Sequence, residues 1–363
     1  MRILVAVVAL ALVAGACTSS GASPATSREP TSSTTLGEEP TVEPPETTPS
    51  TPVSTTSTEA PAQTVPEVPE LFRYAVIAEK TARRLAIVGV VPNCSADGSV
   101  CDLVPVASFD LPARPHNIAS LGSAVYATHP SSGSLSRVDV ITGDVLTVKV
   151  GSEPHDVKYD ATTGVIVVAD EAGRRLLKVD PDTLEVVGTV DLPGEPHDFT
   201  IANGAMWVTL IGRSELVRVV DGQVDILAAG GSPHDLIVDG TGAIWYSNWG
   251  SNRLNIFDPA TGITPEAPAG VGEPQHFAIA PDGAVWISDI AAGAIVGFTS
   301  ERPQIVPVGD APHHLAFIGD TVVVAVSGSG EAVFVRDGQI VARSQLTTGL
   351  HGVAVVELTT QLP

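Results

Sequence analysis

Six of the nine histidines in the chain belong to one recurring two-residue step, Pro-His or a close variant of it, and two more directly follow such a step. The step returns every 37 to 42 residues, and its second residues are His116, His155, His197, His234, Gln275, His313 and His351. His276 and His314 follow directly in two of the repeats. Imidazole titrates near neutral pH and is a common metal ligand. These side chains could therefore hold a divalent metal, bind a small ligand or transfer protons.

The regularity of these steps also has a structural explanation. A residue that recurs in every unit of a repeat protein can be present because each unit makes the same hydrogen bond to its neighbour. The aspartate that follows three of the histidines could likewise hold a local turn. A scaffold role and a ligand-binding role for the histidines therefore both stay open. Three residues that break the repeat are not explained by a scaffold and are the first candidates for function: Glu171, His129 and Gln275.

The elements that position the histidines are short β-strands. An apolar strand begins after each step, and a turn with Gly or Asp leads to a second strand such as Ala243–Tyr246. A third strand ends in Asp-Pro-x-Thr-Gly or Asp-Gly, and a fourth leads to the next step. Four short strands in about 40 residues are typical of a β-propeller blade, and no stretch has sustained helical periodicity. The sequence therefore predicts an all-β fold with histidines around one mouth of a central channel.

The number of blades follows from the two ends of the repeat region. Six full repeats run from Ala113 to Thr348. Residues 71–111 lack a first strand, whereas residues 351–358 supply a first strand and nothing else. Joined, the two ends complete one more blade and remove exposed sheet edges. We therefore predict a seven-bladed β-propeller over residues 71–359, closed by both termini, and we expect it to be a monomer.

The second strand of each blade runs antiparallel to the first, so its end returns to the same mouth. The residues at these ends are Glu79, His129, Asp170, Glu171, Asn248 and Asp289. We expect carboxylates among them to face the imidazoles. Trp249 follows Asn248 and could stack on a ligand at the rim.

The N-terminal region has the pattern of an export and anchoring segment. Residues 1–16 combine Arg2, an apolar run and small residues directly before Cys17. This pattern predicts a bacterial lipoprotein signal peptide with Cys17 as the lipidated residue; an ordinary cleaved signal with an incidental cysteine is the alternative. Residues 17–70 are rich in Thr, Ser, Pro and Glu, so we expect a disordered stalk. The protein would be lipid-anchored on the outer face of the cell membrane.

Charge and cysteine content narrow the partners. The net charge of −22 argues against nucleic acid and anionic lipid surfaces, both of which select clustered Lys and Arg. Cys94 and Cys101 are the two cysteines besides Cys17. In an oxidising compartment, two cysteines at this spacing predict a disulfide across a hairpin of the composite blade.

The repeats resemble those of virginiamycin B lyase, also called streptogramin lyase. The resemblance is carried by the blade that starts at Pro233-His234-Asp235, continues through Gly242–Tyr246 and ends at Asp258–Gly262. It extends over residues 71–359. Related propellers with Tyr-Val-Thr-Asn-type repeats share much of this blade pattern.

The resemblance implies roles for the residues of one blade. That family holds a magnesium ion with two glutamates, so Glu153 and Glu171 would be metal ligands here. His155 would be the catalytic base, and His116, one blade earlier, would contact the substrate. Asp156 stands where the family has Gly after the histidine.

Three functional hypotheses follow. The first is a surface-displayed propeller that binds a small ligand or a metal at its His-rich mouth, zinc or copper if the imidazoles are ligands. Its ligand contacts would be His116, His197, His234, Gln275, His313 and His351. The second is a magnesium-dependent lyase that opens a cyclic ester by elimination. The third is a scaffold for an envelope protein partner.

Overall fold

The computed structural model describes residues 71–89, 100–262, 270–298 and 302–362. The predicted signal peptide, Cys17, the predicted stalk and Cys94 lie outside these residues, so the predictions made for them stay predictions. No helix in the described part of the chain is both long enough and apolar enough to cross a membrane.

The described residues form 28 β-strands and one short 3-10 helix, Pro130–Ser132. The first four strands are β1 (Phe72–Glu79), β2 (Arg84–Gly89), β3 (Cys101–Leu103) and β4 (Pro105–Asp110). The next eight are β5 (Ile118–Leu121), β6 (Ala124–His129), β7 (Ser134–Asp139), β8 (Val145–Lys149), β9 (Pro154–Asp160), β10 (Val165–Asp170), β11 (Arg175–Val179) and β12 (Val186–Asp191). They are followed by β13 (Glu195–Ala202), β14 (Ala205–Ile211), β15 (Glu215–Val220), β16 (Gln223–Ala228), β17 (Pro233–Val238), β18 (Ile244–Asn248) and β19 (Arg253–Phe257). The last nine are β20 (Pro274–Ile279), β21 (Val285–Asp289), β22 (Ala294–Phe298), β23 (Gln304–Pro307), β24 (Pro312–Ile318), β25 (Thr321–Val326), β26 (Glu331–Arg336), β27 (Gln339–Gln345) and β28 (Leu350–Leu358).

These strands pair into seven sheets, which are the seven predicted blades. Blades 1, 2 and 3 are the antiparallel meanders β5–β8, β9–β12 and β13–β16. Blade 4 is β17–β19, and residues 263–269, where a fourth strand is expected, lie outside the described residues. Blade 5 is β20–β23 and blade 6 is β24–β27. The prediction of a seven-bladed β-propeller is confirmed.

Blade 7 joins the two ends of the chain in the order β28-β1-β2-β4, as predicted. Strand β28 pairs antiparallel with β1, so that Phe72 lies opposite Leu358. The segment with Cys101 differs from expectation, because it does not extend this composite blade. Strand β3 instead pairs in parallel with β27 and adds a fifth strand to the edge of blade 6. It thereby covers the unpaired backbone groups of that edge strand.

The core lies between the blades, because the second strands of the blades are buried on both faces. All six residues of β6 and of β25 are buried. Tyr126 of blade 1 packs with Ile166 and Leu177 of blade 2, and its hydroxyl donates a hydrogen bond of 2.9 Å to the carbonyl of Pro181. Short continuous apolar strands of this kind are typical of fully buried strands.

A β-bulge opens the inner strand of most blades. In blade 2, Val157 pairs with Val168 but Pro154 pairs with Asp170, so two residues of β9 oppose one of β10. The same register shift follows the first proline in β13, β17, β20 and β24. A bulge of this kind re-aims side chains. It gives each blade two consecutive residues that face the channel, where an ordinary strand would offer one.

Candidate functional site

The first residue of each bulge belongs to a ring of side chains at the channel mouth, which we call the upper ring: His116, His155, His197, His234, Gln275, His313 and His351. Neighbouring imidazoles are in contact around most of the ring. The centroid distances are 3.7 Å for His351–His116, 4.2 Å for His116–His155, 4.0 Å for His155–His197, 4.2 Å for His197–His234 and 4.1 Å for His313–His351. Gln275 interrupts the series, and His276 spans the gap at 5.3 Å from His234 and 4.5 Å from His313. The predicted ring of histidines is therefore present.

Burial keeps the upper-ring imidazoles neutral at physiological pH. Burial, with a further contribution from neighbouring imidazoles, lowers the pKa of His155 to about 3. Burial likewise lowers the pKa of His197 to about 4. The pKa values of His116, His234, His313 and His351 lie well below the ordinary value for the same reasons. A neutral imidazole keeps a lone pair, which is what metal binding or proton abstraction requires.

The hydrogen bonds that tie one blade to the next run through the backbone of the upper ring. The hydroxyl of Thr128 in blade 1 donates to the carbonyl of His155 in blade 2 at 2.7 Å. Thr209 and Ser247 make the same bond, at 2.6 and 2.9 Å, to the carbonyls of His234 and Gln275. The Nδ1 atoms of four upper-ring imidazoles have no hydrogen-bond partner among the described residues: His116, His197, His234 and His351. The scaffold explanation therefore accounts for these strands but not for their imidazoles.

Blade 2 departs from this pattern and fixes the orientation of His155. Its second strand has Ala169 where blades 1, 3 and 4 have the hydroxyl residue. The Nδ1 atom of His155 instead lies 3.0 Å from the carbonyl of His197. A carbonyl can only accept, so this contact assigns the proton of His155 to Nδ1 and leaves the lone pair on Nε2.

A group of glutamates stands beside that lone pair. Glu171 Oε2 lies 3.9 Å from His155 Nε2. Burial, together with the negative charges of Glu153, Glu195 and Asp198, raises the pKa of Glu171 to about 7. Carboxylates gathered in this way repel one another, and a bound cation would relieve that repulsion.

The ligand atoms of His155, Glu171 and His197 lie within 4.8 Å of one another. We call this group the rim cluster. Two imidazole nitrogens and one carboxylate oxygen suit zinc, copper, nickel or iron, whereas magnesium prefers oxygen ligands. Glu153, the second magnesium ligand implied by the resemblance, is not part of the cluster. The donor set therefore fits a transition-metal dication better than the expected magnesium ion.

An exposed indole borders the rim cluster. Trp249 is 45% exposed and stacks on His234, with ring centroids 3.8 Å apart and an interplanar angle of 16°. Its ring also lies 6.0 Å from His197. A large aromatic side chain that stays exposed next to polar groups offers a face for a planar ligand.

Apart from Glu171, the residues at the ends of the second strands do not contribute to the site as expected. Asp170 accepts the backbone N–H groups of Ser152 and Glu153 at 2.8 and 2.7 Å and also accepts from Arg175 at 3.0 Å. Asp289 and Asn248 accept the corresponding N–H groups in their blades, and Glu79 pairs with Arg84 and accepts from Thr347. These side chains fix the loop before each Pro-His step and do not face the imidazoles.

The expectation that His129 lies at the channel mouth as a functional residue is also wrong. Its side chain is fully buried and its Nε2 lies 2.7 Å from the Ser136 hydroxyl on the neighbouring strand β7. It makes no ring contact with the other histidines in the described part of the chain. Its position at the end of β6 corresponds to that of Asp170 at the end of β10. His129 therefore differs in residue type from the strand-end residues of the other blades, but like them it has a structural role.

The second residue of each bulge forms another layer, which we call the lower ring: Asn117, Asp156, Asp198, Asp235, His276, His314 and Gly352. Its six side chains line a cavity of about 290 Å³ together with Lys158. Gly352 contributes no side chain, because a Cβ there would come within 2.9 Å of the backbone of His116 and Ile118. The aspartates are visible in the sequence, but neither their layer nor the role of Lys158 was predicted from it. Two successive polar residues after each proline were the available signal.

Comparison with known proteins supports the β-propeller fold and a similarity to virginiamycin B lyase. No protein-family model matches the chain. A virginiamycin B lyase of Nocardia farcinica is 32% identical over 184 residues, a match that covers 47% of this chain and 61% of that relative. A solved streptogramin B lyase superposes with a TM-score of 0.58 at 19% identity, covering 66% of this chain and 86% of the other.

Two further solved structures show the same fold. Virginiamycin B lyase from Staphylococcus aureus has a TM-score of 0.57 at 17% identity, covering 66% of this chain and 87% of that one. A functionally unknown protein from Desulfotomaculum acetoxidans has a TM-score of 0.61 at 14% identity, covering 78% and 98%. The chain is thus a seven-bladed β-propeller that resembles virginiamycin B lyase in sequence over about half its length.

Proposed function

We propose that this protein binds a divalent transition metal at the mouth of its propeller and presents it to a small ligand. The observation that carries the proposal is the rim cluster, in which His155, Glu171 and His197 bring three ligand atoms within 4.8 Å. The hydrogen bond from His155 Nδ1 to the His197 carbonyl supports it, because metal-bound histidines are commonly oriented in this way.

The electrostatics of the rim favour a cation. Glu171 has a pKa of about 7 because it is buried near Glu153, Glu195 and Asp198. A dication would stabilise its ionised form and offset the repulsion between these carboxylates. Neutral imidazoles would complete the coordination without adding charge.

The small ligand would contact the open side of the rim. Trp249 leaves one face exposed while its other face stacks on His234. A planar or aromatic group bound there would sit next to His197, which belongs to the rim cluster. We therefore propose a small molecule with a planar part and a metal-binding oxygen or nitrogen as the ligand class.

Zinc binding to the full chain tests the proposal. Isothermal titration of metal-free protein should show zinc binding that weakens about tenfold or more in Glu171→Gln, because that change removes a ligand. Glu153→Gln and Glu273→Gln form a matched pair, since both glutamates precede the Pro of a bulge step. Only Glu153 lies near Glu171, so Glu153→Gln should weaken binding modestly and Glu273→Gln should not. Zinc binding that is absent, or equally weakened by Glu273→Gln, would contradict the proposal and leave the scaffold hypothesis.

Display at the membrane is part of the proposal. The signal pattern and the Thr/Ser/Pro/Glu-rich segment would place the propeller outside the cell on a lipid anchor at Cys17. Replacing Cys17 with Ala should release the exported protein from the membrane fraction. Retention of the variant in that fraction would count against lipid anchoring.

A second candidate function is a lyase that opens a cyclic ester by elimination. The partial sequence match to virginiamycin B lyase favours it, together with Glu153-Pro154-His155 and Glu171 in one blade. His155 would accept a substrate proton at Nε2 while its Nδ1–H stays on the His197 carbonyl. Loss of that proton forms a carbon–carbon double bond as the ester C–O bond breaks and the carboxylate leaves.

Proton abstraction would convert His155 to imidazolium, and two features of its surroundings act on this charged form in opposite directions. Burial disfavours imidazolium, but an ionised Glu171 at 3.9 Å would stabilise it. A divalent cation held by Glu171 and its neighbours would polarise the ester and stabilise the leaving carboxylate. Turnover of a cyclic depsipeptide that disappears in His155→Ala would support the lyase. Zinc binding without any turnover would contradict the lyase and support the binding function.

A further inference from the structure

We infer that the lower ring holds a second divalent cation, bound inside the channel by Asp198, Asp235 and His276. Their ligand atoms lie within 4.8 Å of one another, and all three residues are buried. This site lies one residue further along each bulge than the upper ring. It does not depend on the metal proposed at the rim.

Asp198 lacks the inter-blade hydrogen bond that the equivalent aspartates of the neighbouring blades make. Asp156 Oδ2 in blade 2 accepts the backbone N–H of Phe199 in blade 3 at 3.3 Å. Asp235 Oδ2 in blade 4 accepts that of Phe277 in blade 5 at 3.1 Å. Asp198 makes no such bond, because the N–H of Leu236 donates to Asp235 Oδ1 at 2.6 Å instead.

The freed carboxylate oxygen points at two imidazoles without bonding to either. Asp198 Oδ2 is 3.8 Å from His197 Nδ1 and 3.9 Å from His276 Nδ1. It has no hydrogen-bond partner in the described part of the chain, although Asp198 is only 1% exposed. These separations are too long for hydrogen bonds. The 3.9 Å between Asp198 Oδ2 and His276 Nδ1 is within reach of two ligands that each lie about 2.1 Å from one shared metal ion. Binding would displace the proton that this nitrogen shares with Asp235 Oδ2 at 3.1 Å.

The charges of the lower ring also favour a bound cation. Asp156, Asp198 and Asp235 surround a single ammonium group, that of Lys158. Lys158 Nζ donates to Asp156 Oδ2 at 2.7 Å and is 3.7 Å from Asp198 Oδ1. Three carboxylates and one ammonium leave two negative charges when all are ionised. A dication balances that excess, and a buried charge without a partner is otherwise costly.

The donor set selects the kind of cation. Two carboxylate oxygens and one imidazole nitrogen suit zinc and similar transition metals better than magnesium or calcium. The cavity of about 290 Å³ leaves room for water or a small anion as a further ligand. A neighbouring group, His276, His313 and His314, is less suitable. The rings of His276 and His314 stack at 3.6 Å and 20°, so their in-plane lone pairs do not converge.

Metal analysis of the full chain in a Glu171→Gln background tests this site without the rim. After chelator treatment, equilibrium dialysis against zinc and elemental analysis should still give one zinc ion per chain. Adding Asp198→Asn should weaken this binding about tenfold or more. The matched control is Asp156→Asn, which removes the same charge from the same layer one blade earlier. Because Asp156 is not in the cluster, its substitution removes charge but no ligand and should weaken zinc binding less than Asp198→Asn does.

Several outcomes would overturn the inference. One is the absence of zinc uptake by the Glu171→Gln protein. Another is an equal loss of zinc affinity in Asp198→Asn and Asp156→Asn, which would mean that zinc responds to the total negative charge and not to a specific ligand. If Asp198→Asn does not fold, Asp235→Asn replaces it. The visible absorption of cobalt bound to the Glu171→Gln protein then gives a second measurement, and we expect the bands of a tetrahedral site with nitrogen and oxygen ligands. The rim proposal fails separately: a wild-type protein with one zinc ion that Glu171→Gln leaves in place would contradict the rim and support the interior site.

Discussion

The upper and lower rings are adjacent in sequence but differ in how they are connected to the scaffold. The backbone carbonyls of upper-ring residues accept hydrogen bonds from the preceding blade, as that of His155 does from Thr128. Lower-ring residues are bonded through their side chains, as Asp156 does with Phe199 and Asn117 does with Asp156. A residue that recurs in every blade is therefore not necessarily the one that joins the blades. Substitutions that break these side-chain bonds in the lower ring should lower stability, whereas substitutions of upper-ring imidazoles should leave stability nearly unchanged.

The largest expected effect is loss of stability in the lower ring. Asp156→Ala removes the acceptor of the Phe199 N–H and the partner of Lys158 and Asn117. Leaving buried polar groups unpaired should lower the free energy of unfolding by about 3 kcal/mol. Urea denaturation of metal-free protein measures this change.

The upper ring supplies the control for that substitution. His116→Gln should cost less than about 1 kcal/mol, because the His116 Nδ1 has no hydrogen-bond partner among the described residues. Gln275 shows that the position accommodates this side chain. Equal losses for the two variants would mean that the rings do not differ in structural role.

The two rings should also give opposite pH dependences in metal-free protein. Burial raises the pKa of Asp235 to about 7 from an ordinary 3.8, so its stabilising contribution is complete below about pH 4 and is lost as pH rises toward 7. Burial lowers the pKa of His197 to about 4 from 6.5, so its contribution is complete above pH 6.5 and is lost as pH falls toward 4. From these shifts, each effect should be on the order of 3 kcal/mol.

Variants in each ring separate these two limbs of the profile. Asp235→Asn should gain stability relative to wild type more at pH 8 than at pH 5. His197→Gln should gain it more at pH 5 than at pH 8. Urea midpoints measured across this range would refute the comparison if both variants shifted the profile in the same direction.

A smaller effect is expected where the scaffold meets the upper ring. Thr209→Val keeps the shape of the side chain but removes the hydroxyl that donates to the His234 carbonyl at 2.6 Å. The free energy of unfolding should fall by about 1 kcal/mol. Zinc affinity at the rim should not change, since no imidazole nitrogen is involved. A large loss of zinc affinity in Thr209→Val would show that backbone position and metal binding are coupled.

The fold could be predicted because its main cause is visible along the chain. The 37 to 42 residue period, the apolar strands and the two incomplete ends all act locally, and they gave the blade count and its closure. The exchange of β3 onto blade 6 was not predictable, since parallel pairing to an edge strand is a long-range choice. The ring positions were predicted from the Pro-His step alone.

The lower ring could not be predicted because strand alternation sends successive side chains to opposite faces. The bulge overrides that rule and places Asp156 beside His155 in the channel. His129 illustrates the opposite error, since a histidine near the rim by sequence proved to be buried against Ser136. In both cases the direction of the side chain decides the role, and spacing does not report it.

The smallest effect on stability should come from the outer cover of the upper ring. Trp249→Ala removes a side chain that is 45% exposed, so the free energy of unfolding should change by less than about 0.5 kcal/mol. The indole nevertheless covers His234 at a centroid distance of 3.8 Å. Without it, water would reach this imidazole, and its depressed pKa should rise toward the ordinary value. Imidazole NMR titration measures this shift, with His351, which does not contact Trp249, as the internal control. An unchanged pKa of His234 would mean that its neighbouring imidazoles, and not the indole, exclude water from it.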